Sequence, residues 1–104
     1  MANRRRGEIE AVLDGEPRVL VLTLGALAEL EAAFGAGDLT ALAARFADGK
    51  LSARDAARII GAGLRAAGTE ISDDEVGALR AEGGAAGFAR IVAELLAVTF
   101  GGEA

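Results

Sequence analysis

The sequence predicts a mainly α-helical α+β domain: a small bundle of four to five helices packed on a two-stranded antiparallel ribbon at its N-terminal end. Three observations carry this. Asp14-Gly15 lies between two short segments of alternating apolar residues, the pattern of a β-hairpin. Further along, apolar residues recur at helical spacing. Ser52 with Asp55 and Ser72 with Glu75 then stand three residues apart, as the two halves of a capping box do.

The hairpin is expected over residues 7–22. Asp and Gly tolerate the positive backbone angles of a type I′ turn, which sets Leu13 opposite Glu16 and Val12 opposite Pro17. In that register Val12 and Pro17 form a non-hydrogen-bonded pair, so the missing N–H of Pro17 costs no ladder bond on an outer edge. Alternation puts Ile9, Ala11, Leu13, Leu20 and Leu22 on one face, and Glu8, Glu10, Val12, Val19 and Val21 on the other. A two-stranded ribbon needs cover on one face, which the helices must provide. Its second face keeps valines that a monomer does not readily bury.

Thr23 is placed to cap a first helix through Leu24, Leu27, Leu30 and Phe34, ending at Gly35 or Gly37. Asp38 precedes a short second stripe of Leu39, Leu42 and Phe46, which stops at Asp48-Gly49. The third helix starts at Ser52 and carries Ala56, Ile59, Ile60, Gly63, Leu64 and Ala67 on one side until Gly68, with Arg54, Arg58 and Arg65 on the opposite, solvated face. Gly61 and Gly63 within it each cost about 1 kcal/mol relative to alanine, which implies close packing against a neighbour. A short acidic fourth helix opens at Ser72 and runs past Val76 and Leu79 to a stop at Gly83-Gly84. The last helix, residues 85–99, presents Phe88, Ile91, Val92, Leu95, Leu96 and Thr99 as a broad apolar stripe, with Gly101 and Gly102 beyond it.

With 104 residues the chain makes one domain, residues 7–102, preceded by a basic arm at 1–6 and followed by a frayed tail at 103–104. Histidine and cysteine are both absent, which removes thiol nucleophiles, disulfides and the usual ligands for zinc, copper and haem. The two serines, Ser52 and Ser72, have no histidine to activate them, and capping accounts for both. Asp73, Asp74 and Glu75 are consecutive, without the alternation of a calcium loop, and suit the start of a helix. Gly61, Gly63 and Gly68 match neither phosphate-binding glycine pattern. No enzyme and no cofactor is therefore expected. A net charge of −5 opposes nucleic-acid binding, including that of a helix-turn-helix regulator, and no apolar run reaches membrane-spanning length. A cytoplasmic location is expected, since charges interrupt what would be the apolar region of a signal peptide.

The run Leu22-Thr23-Leu24-Gly25-Ala26-Leu27-Ala28-Glu29-Leu30-Glu31-Ala32-Ala33-Phe34-Gly35 resembles the small tail protein of gene transfer agents, which phage-like gene clusters encode. The likeness continues through Leu51-Ser52-Ala53-Arg54-Asp55 and Thr99-Phe100-Gly101-Gly102, and covers nearly the whole chain. It implies a place in tail morphogenesis, as a tail tube protein or as a tail assembly chaperone. The chaperone is the expected role, because a tube subunit generally needs a larger β-sandwich or barrel to close a ring. Such a chaperone would coat the tape measure protein until tube subunits replace it. The alternative is a structural tube or connector subunit retained in the particle. Either role implies other tail proteins as partners, and self-association. The protein-binding residues expected are Val12, Val19 and Val21 of the hairpin with Leu24 and Leu27 of the first helix.

Overall fold

The computed structural model describes residues 3–38, 40, 41, 44 and 52–100. A single 3-10 turn at Arg4–Arg6 leads into strand β1 (Glu8–Leu13), which turns back as β2 (Glu16–Val21). Among the described residues the helices with full bounds are α1 (Leu24–Phe34), α2 (Ala53–Ala66), α3 (Asp73–Gly77) and α4 (Gly84–Phe100).

The ribbon has the register expected from its turn. Leu13 pairs with Glu16, Val12 with Pro17, and the ladder continues to Glu8 with Val21. Asp14 and Gly15 have φ of 54° and 77°, the left-handed pair that a type I′ turn requires and that matches strand twist. The tip does not hang free. Asp14 N–H donates to the Arg80 carbonyl at 2.7 Å, the Asp14 carboxylate accepts from Arg80 N–H at 2.7 Å, and Leu13 bridges Ala81.

The helix starts follow local chemistry. Thr23 Oγ1 accepts from Ala26 N–H at 3.1 Å and opens α1, and Gly35, with φ of 70°, closes it. Ser52 and Asp55 satisfy each other's backbone N–H groups at the start of α2, and Ser72 and Glu75 do the same for α3. These are reciprocal capping boxes that satisfy donors a helix start otherwise leaves orphaned. Of the expected second helix, Thr40, Ala41 and Ala44 have helical backbone, and Asp38 caps with a 2.8 Å bond from Ala41 N–H. Leu39, Leu42, Phe46 and the expected break at Asp48-Gly49 lie outside the described residues, as do Gly101, Gly102 and the tail.

One boundary differs from expectation. The acidic helix ends at Gly77 instead of continuing through Leu79 to Gly83. The backbone at residues 80–81 is taken by the hairpin tip, and a chain that donates and accepts there cannot also close helical turns. Gly83 and Gly84 thus come to lie at the entry to α4.

The core is aliphatic and lies between one face of the ribbon and the helices. Ile9, Ala11, Leu13, Leu20 and Leu22 meet Ala26, Leu27 and Leu30 of α1, Ile59, Ile60, Ala62 and Leu64 of α2, Val76, and Ile91, Val92 and Leu95 of α4. No polar or charged side chain is buried among the described residues. The two glycines inside α2 mark close approaches. A Cβ on Gly63 would stand 3.0 Å from Leu95 Cδ2 and 3.2 Å from Leu20 Cβ, and one on Gly61 would overlap the Asp73 carboxylate.

Candidate protein-binding surface

With one face of the ribbon spent on the core, the other carries the residues expected to meet a partner. Glu10 and Pro17 are exposed on it, Val12 is 50% exposed, and Glu8, Val19 and Val21 are half-buried. Leu24, the first residue of α1, is the most exposed large apolar side chain among the described residues at 74%. Leu27 corrects the expectation made for it. It is 8% exposed and packs in the core, because it shares the inward arc of α1 with Ala26 and Leu30.

The backbone of β2 adds a second feature. Since Leu13 and Glu16 close the turn as a hydrogen-bonded pair, the pairs alternate outward, and the N–H and C=O groups of Val19 and Val21 point away from β1. Among the described residues the sheet has two strands, so no third strand meets that edge. Pro17, exposed and without an N–H, blunts the edge near the tip.

At the open end of the ribbon the basic segment has local structure. Asn3 anchors the 3-10 turn: its carbonyl accepts from Arg6 and Glu8 N–H at 2.9 and 3.1 Å, and its side chain accepts from Arg5 N–H at 3.0 Å. Glu8 returns a contact by accepting from Asn3 N–H at 2.8 Å. Arg5 and Arg6 are exposed beside it, with no salt bridge among the described residues.

The arginines expected on a solvated face of α2 divide differently. Arg65 donates to Asp73 at 2.9 Å and to the Ile71 carbonyl at 3.0 Å, and it also pairs with Glu29 of α1. Partial burial works against its charge, yet the hydrogen bonds to Asp73 and Glu29 outweigh that and raise its pKa. Arg58 donates to the Ala33 carbonyl at 3.1 Å and stands over the Phe34 ring at 5.9 Å. Both fasten α1 to α2, and Arg54 alone of the three is exposed. Nothing in the local sequence marks these two as struts, because their partners are 25 and 36 residues away.

A groove of about 280 Å³ runs between α2, α3 and α4, walled by Ala53, Ala56, Ala57, Val76, Ala85, Phe88 and Ala89. Its one hydroxyl, on Ser52, already accepts the Asp55 N–H at 3.0 Å. This wall offers neither a base nor a converging set of polar groups of the kind a catalytic pocket needs. Among the described residues no cluster of acidic side chains is arranged to hold a metal, and no helix is long and apolar enough to cross a membrane.

The model of the phage tail tube protein family GTA-gp10 matches residues 6–102. The chain belongs to that family. It is a phage-like tail protein of the gene transfer agent type, and the resemblance read from its sequence holds across the whole domain. No curated protein and no solved structure matches the chain. The family's description names the tail tube, which backs the structural alternative better than the chaperone role expected from architecture.

Proposed function

We propose that this chain is a structural subunit of a phage-like tail, and that it works by binding other tail proteins without catalysis. The observation that carries this reading is the match to a tail tube family over residues 6–102. The ribbon offers a physical route to it. A tube subunit must contribute sheet to its neighbours, and the outward N–H and C=O groups of Val19 and Val21, which meet no third strand among the described residues, can pair with a strand from another chain. The outer face with Val12, Val19 and Val21, together with Leu24, supplies the apolar contact beside that edge.

A second reading is favoured by one observation. Among the described residues the only sheet is a two-stranded ribbon, less than a ring-closing barrel or sandwich needs. In that reading the same surface coats the tape measure protein in the cytoplasm and is exchanged for tube subunits, as moderate, multivalent contacts allow. Quantitative mass spectrometry of purified particles separates the two. Stoichiometric presence at a fixed ratio to other tail proteins supports the structural subunit. Absence from particles, with recovery on the tape measure protein from cells still assembling tails, rejects it in favour of the chaperone.

A further inference from the structure

We propose that Arg18 makes the open edge of β2 selective for a strand that brings a carboxylate beside it, so that the strand added there comes from a different tail protein and not from a second copy of this chain. The inference rests on the reading of that edge as a contact with another chain, and names the chemistry of what pairs with it.

The two edges of the ribbon are not equivalent. β1 is engaged at both ends of its outer side: Glu8 N–H donates to the Asn3 carbonyl at 3.1 Å, and at the tip Asp14 N–H donates to the Arg80 carbonyl at 2.7 Å while Leu13 bridges Ala81. On β2 the outward N–H and C=O groups of Val19 and Val21 meet no third strand among the described residues. An added strand therefore lies along β2, and toward the tip it finds no donor at Pro17.

Arg18 stands within this stretch on the core-facing side, opposite Ala11. Its side chain is 23% exposed, and its salt bridge among the described residues is a 3.5 Å contact with Glu16, itself 72% exposed. Nε is buried with no hydrogen-bond partner. Arg65, by contrast, engages Asp73, Glu29 and the Ile71 carbonyl. A guanidinium carries five N–H donors in a planar fork, so most of the capacity of Arg18 is unused, and the side chain of Ala11 offers it no acceptor. Because Val19 and Val21 supply the ladder bonds to an added antiparallel strand, the residue facing Arg18 falls in a non-hydrogen-bonded pair, where side chains stand closest. A carboxylate there meets the cation as a charge-assisted pair. An apolar residue leaves the cation covered and unmatched, and a basic one repels it.

The ribbon of a second copy has no carboxylate to place there. Antiparallel registers that join the valines of two β2 strands set Arg18 against Leu20, Leu22 or Leu24, and the register that joins Val19 to Pro17 sets Arg18 against Arg18. The one that brings Glu16 to Arg18 sets Pro17 against Pro17, where neither has an N–H. β1 of a copy, pairing through the outward groups of Glu8, Glu10 and Val12, sets Ile9, Ala11 or Leu13 against Arg18. A parallel copy in register sets cation beside cation. The occupant that fits is an extended segment of another sequence, with an acidic residue facing Arg18 and apolar residues facing Val19 and Val21.

Photocrosslinking in cells assembling tails tests this on the full chain, with p-benzoylphenylalanine in place of Val19 and mass spectrometry of the linked peptide. The expected adduct is a segment of a different tail protein with Asp or Glu within about three residues of the linked position. Arg18→Glu lowers the yield at least about tenfold, and exchanging the partner's carboxylate for arginine restores it in that background, a rescue that a purely structural role of Arg18 does not give. Circular dichroism of the purified variants checks that helix content is kept. Should Arg18→Glu fail to fold, Arg18→Gln, which removes the charge without reversing it, carries the comparison and lowers the yield severalfold. An adduct to this chain's own sequence, a linked segment without a carboxylate, an unchanged yield in a folded Arg18 variant, a failed exchange, or no adduct at all overturns the proposal. The tail role is judged separately: a chain found stoichiometrically in purified particles that fails this test keeps that role and loses this partner.

Discussion

Replacing Gly63 with alanine tests the packing at the centre of this fold. Inside a helix the change is worth about 1 kcal/mol of stability from backbone propensity alone. The site opposes that gain. The added methyl would lie 3.0 Å from Leu95 Cδ2 and 3.2 Å from Leu20 Cβ, closer than the roughly 3.5–4.0 Å at which carbon atoms attract. Leu20 and Leu95 are both 0% exposed, and Cβ of Leu20 is fixed to the strand, so no rotamer change of that residue clears the contact. Overpacking of this kind costs about 1–3 kcal/mol, which leaves a net loss of about 1 kcal/mol after the propensity gain. For a domain of this size that lowers Tm by about 4–8 °C. Gly25→Ala is the control, because its Cβ meets only Thr23 Oγ1 at 3.9 Å, and the substitution should raise stability by a few tenths of a kcal/mol up to about 1. Thermal and urea unfolding followed by circular dichroism measure both. A Gly63→Ala variant as stable as the wild type would refute the argument that this helix sits against the ribbon at glycine distance.

Arg65→Ala removes the link among α1, α2 and the start of α3, and should cost about 1–2 kcal/mol in urea unfolding; a double-mutant cycle with Asp73→Ala should show coupling, and additive losses would count against a shared cluster. Asp14→Ala loses both tolerance of φ at 54° and the acceptor for Arg80 N–H, with an expected loss of about 1–2 kcal/mol, whereas Asp14→Asn should keep most of the stability; equal losses would refute the turn-and-dock role. Val19→Thr with Val21→Thr should leave the melting curve little changed while weakening binding to other tail proteins in a pull-down. Unfolding of that double variant would assign the valines to the monomer's own core.

What the sequence made legible here is what is local. The hairpin register follows from two residues at one turn, and each capping box is complete within four residues, so neither waits on the rest of the fold. Leu24 and Leu27 were harder, because a stripe at three-residue spacing drifts around a helix. At 3.6 residues per turn Leu24 lies roughly 110° from the centre of the arc formed by Ala26, Leu27 and Leu30, enough to turn it to solvent while Leu27 stays inside. Distant pairings left no mark in any window. The Leu13 to Ala81 bridge shortened the acidic helix, and the reach of Arg65 to Glu29 turned a residue assigned to solvent into a strut. The outer face of the ribbon was visible from alternation alone, but the anchored turn that presents Arg5 and Arg6 beside it depends on hydrogen bonds that composition does not reveal.

The docking of the hairpin tip on residues 80–81 has a consequence for how the chain comes off the ribosome. The ribbon is made before the helices and can close by itself, yet the helices that cover Leu13 and Leu20 include α4, whose Leu95 is synthesised more than 70 residues after Leu22. At bacterial rates of about 5–20 residues per second that interval lasts on the order of 4–15 s. For its whole length the nascent chain carries a ribbon apolar on both faces with an open edge. Cellular partners that bind such strands meet this protein before its own last helix does, and any truncation short of α4 leaves that exposure permanent.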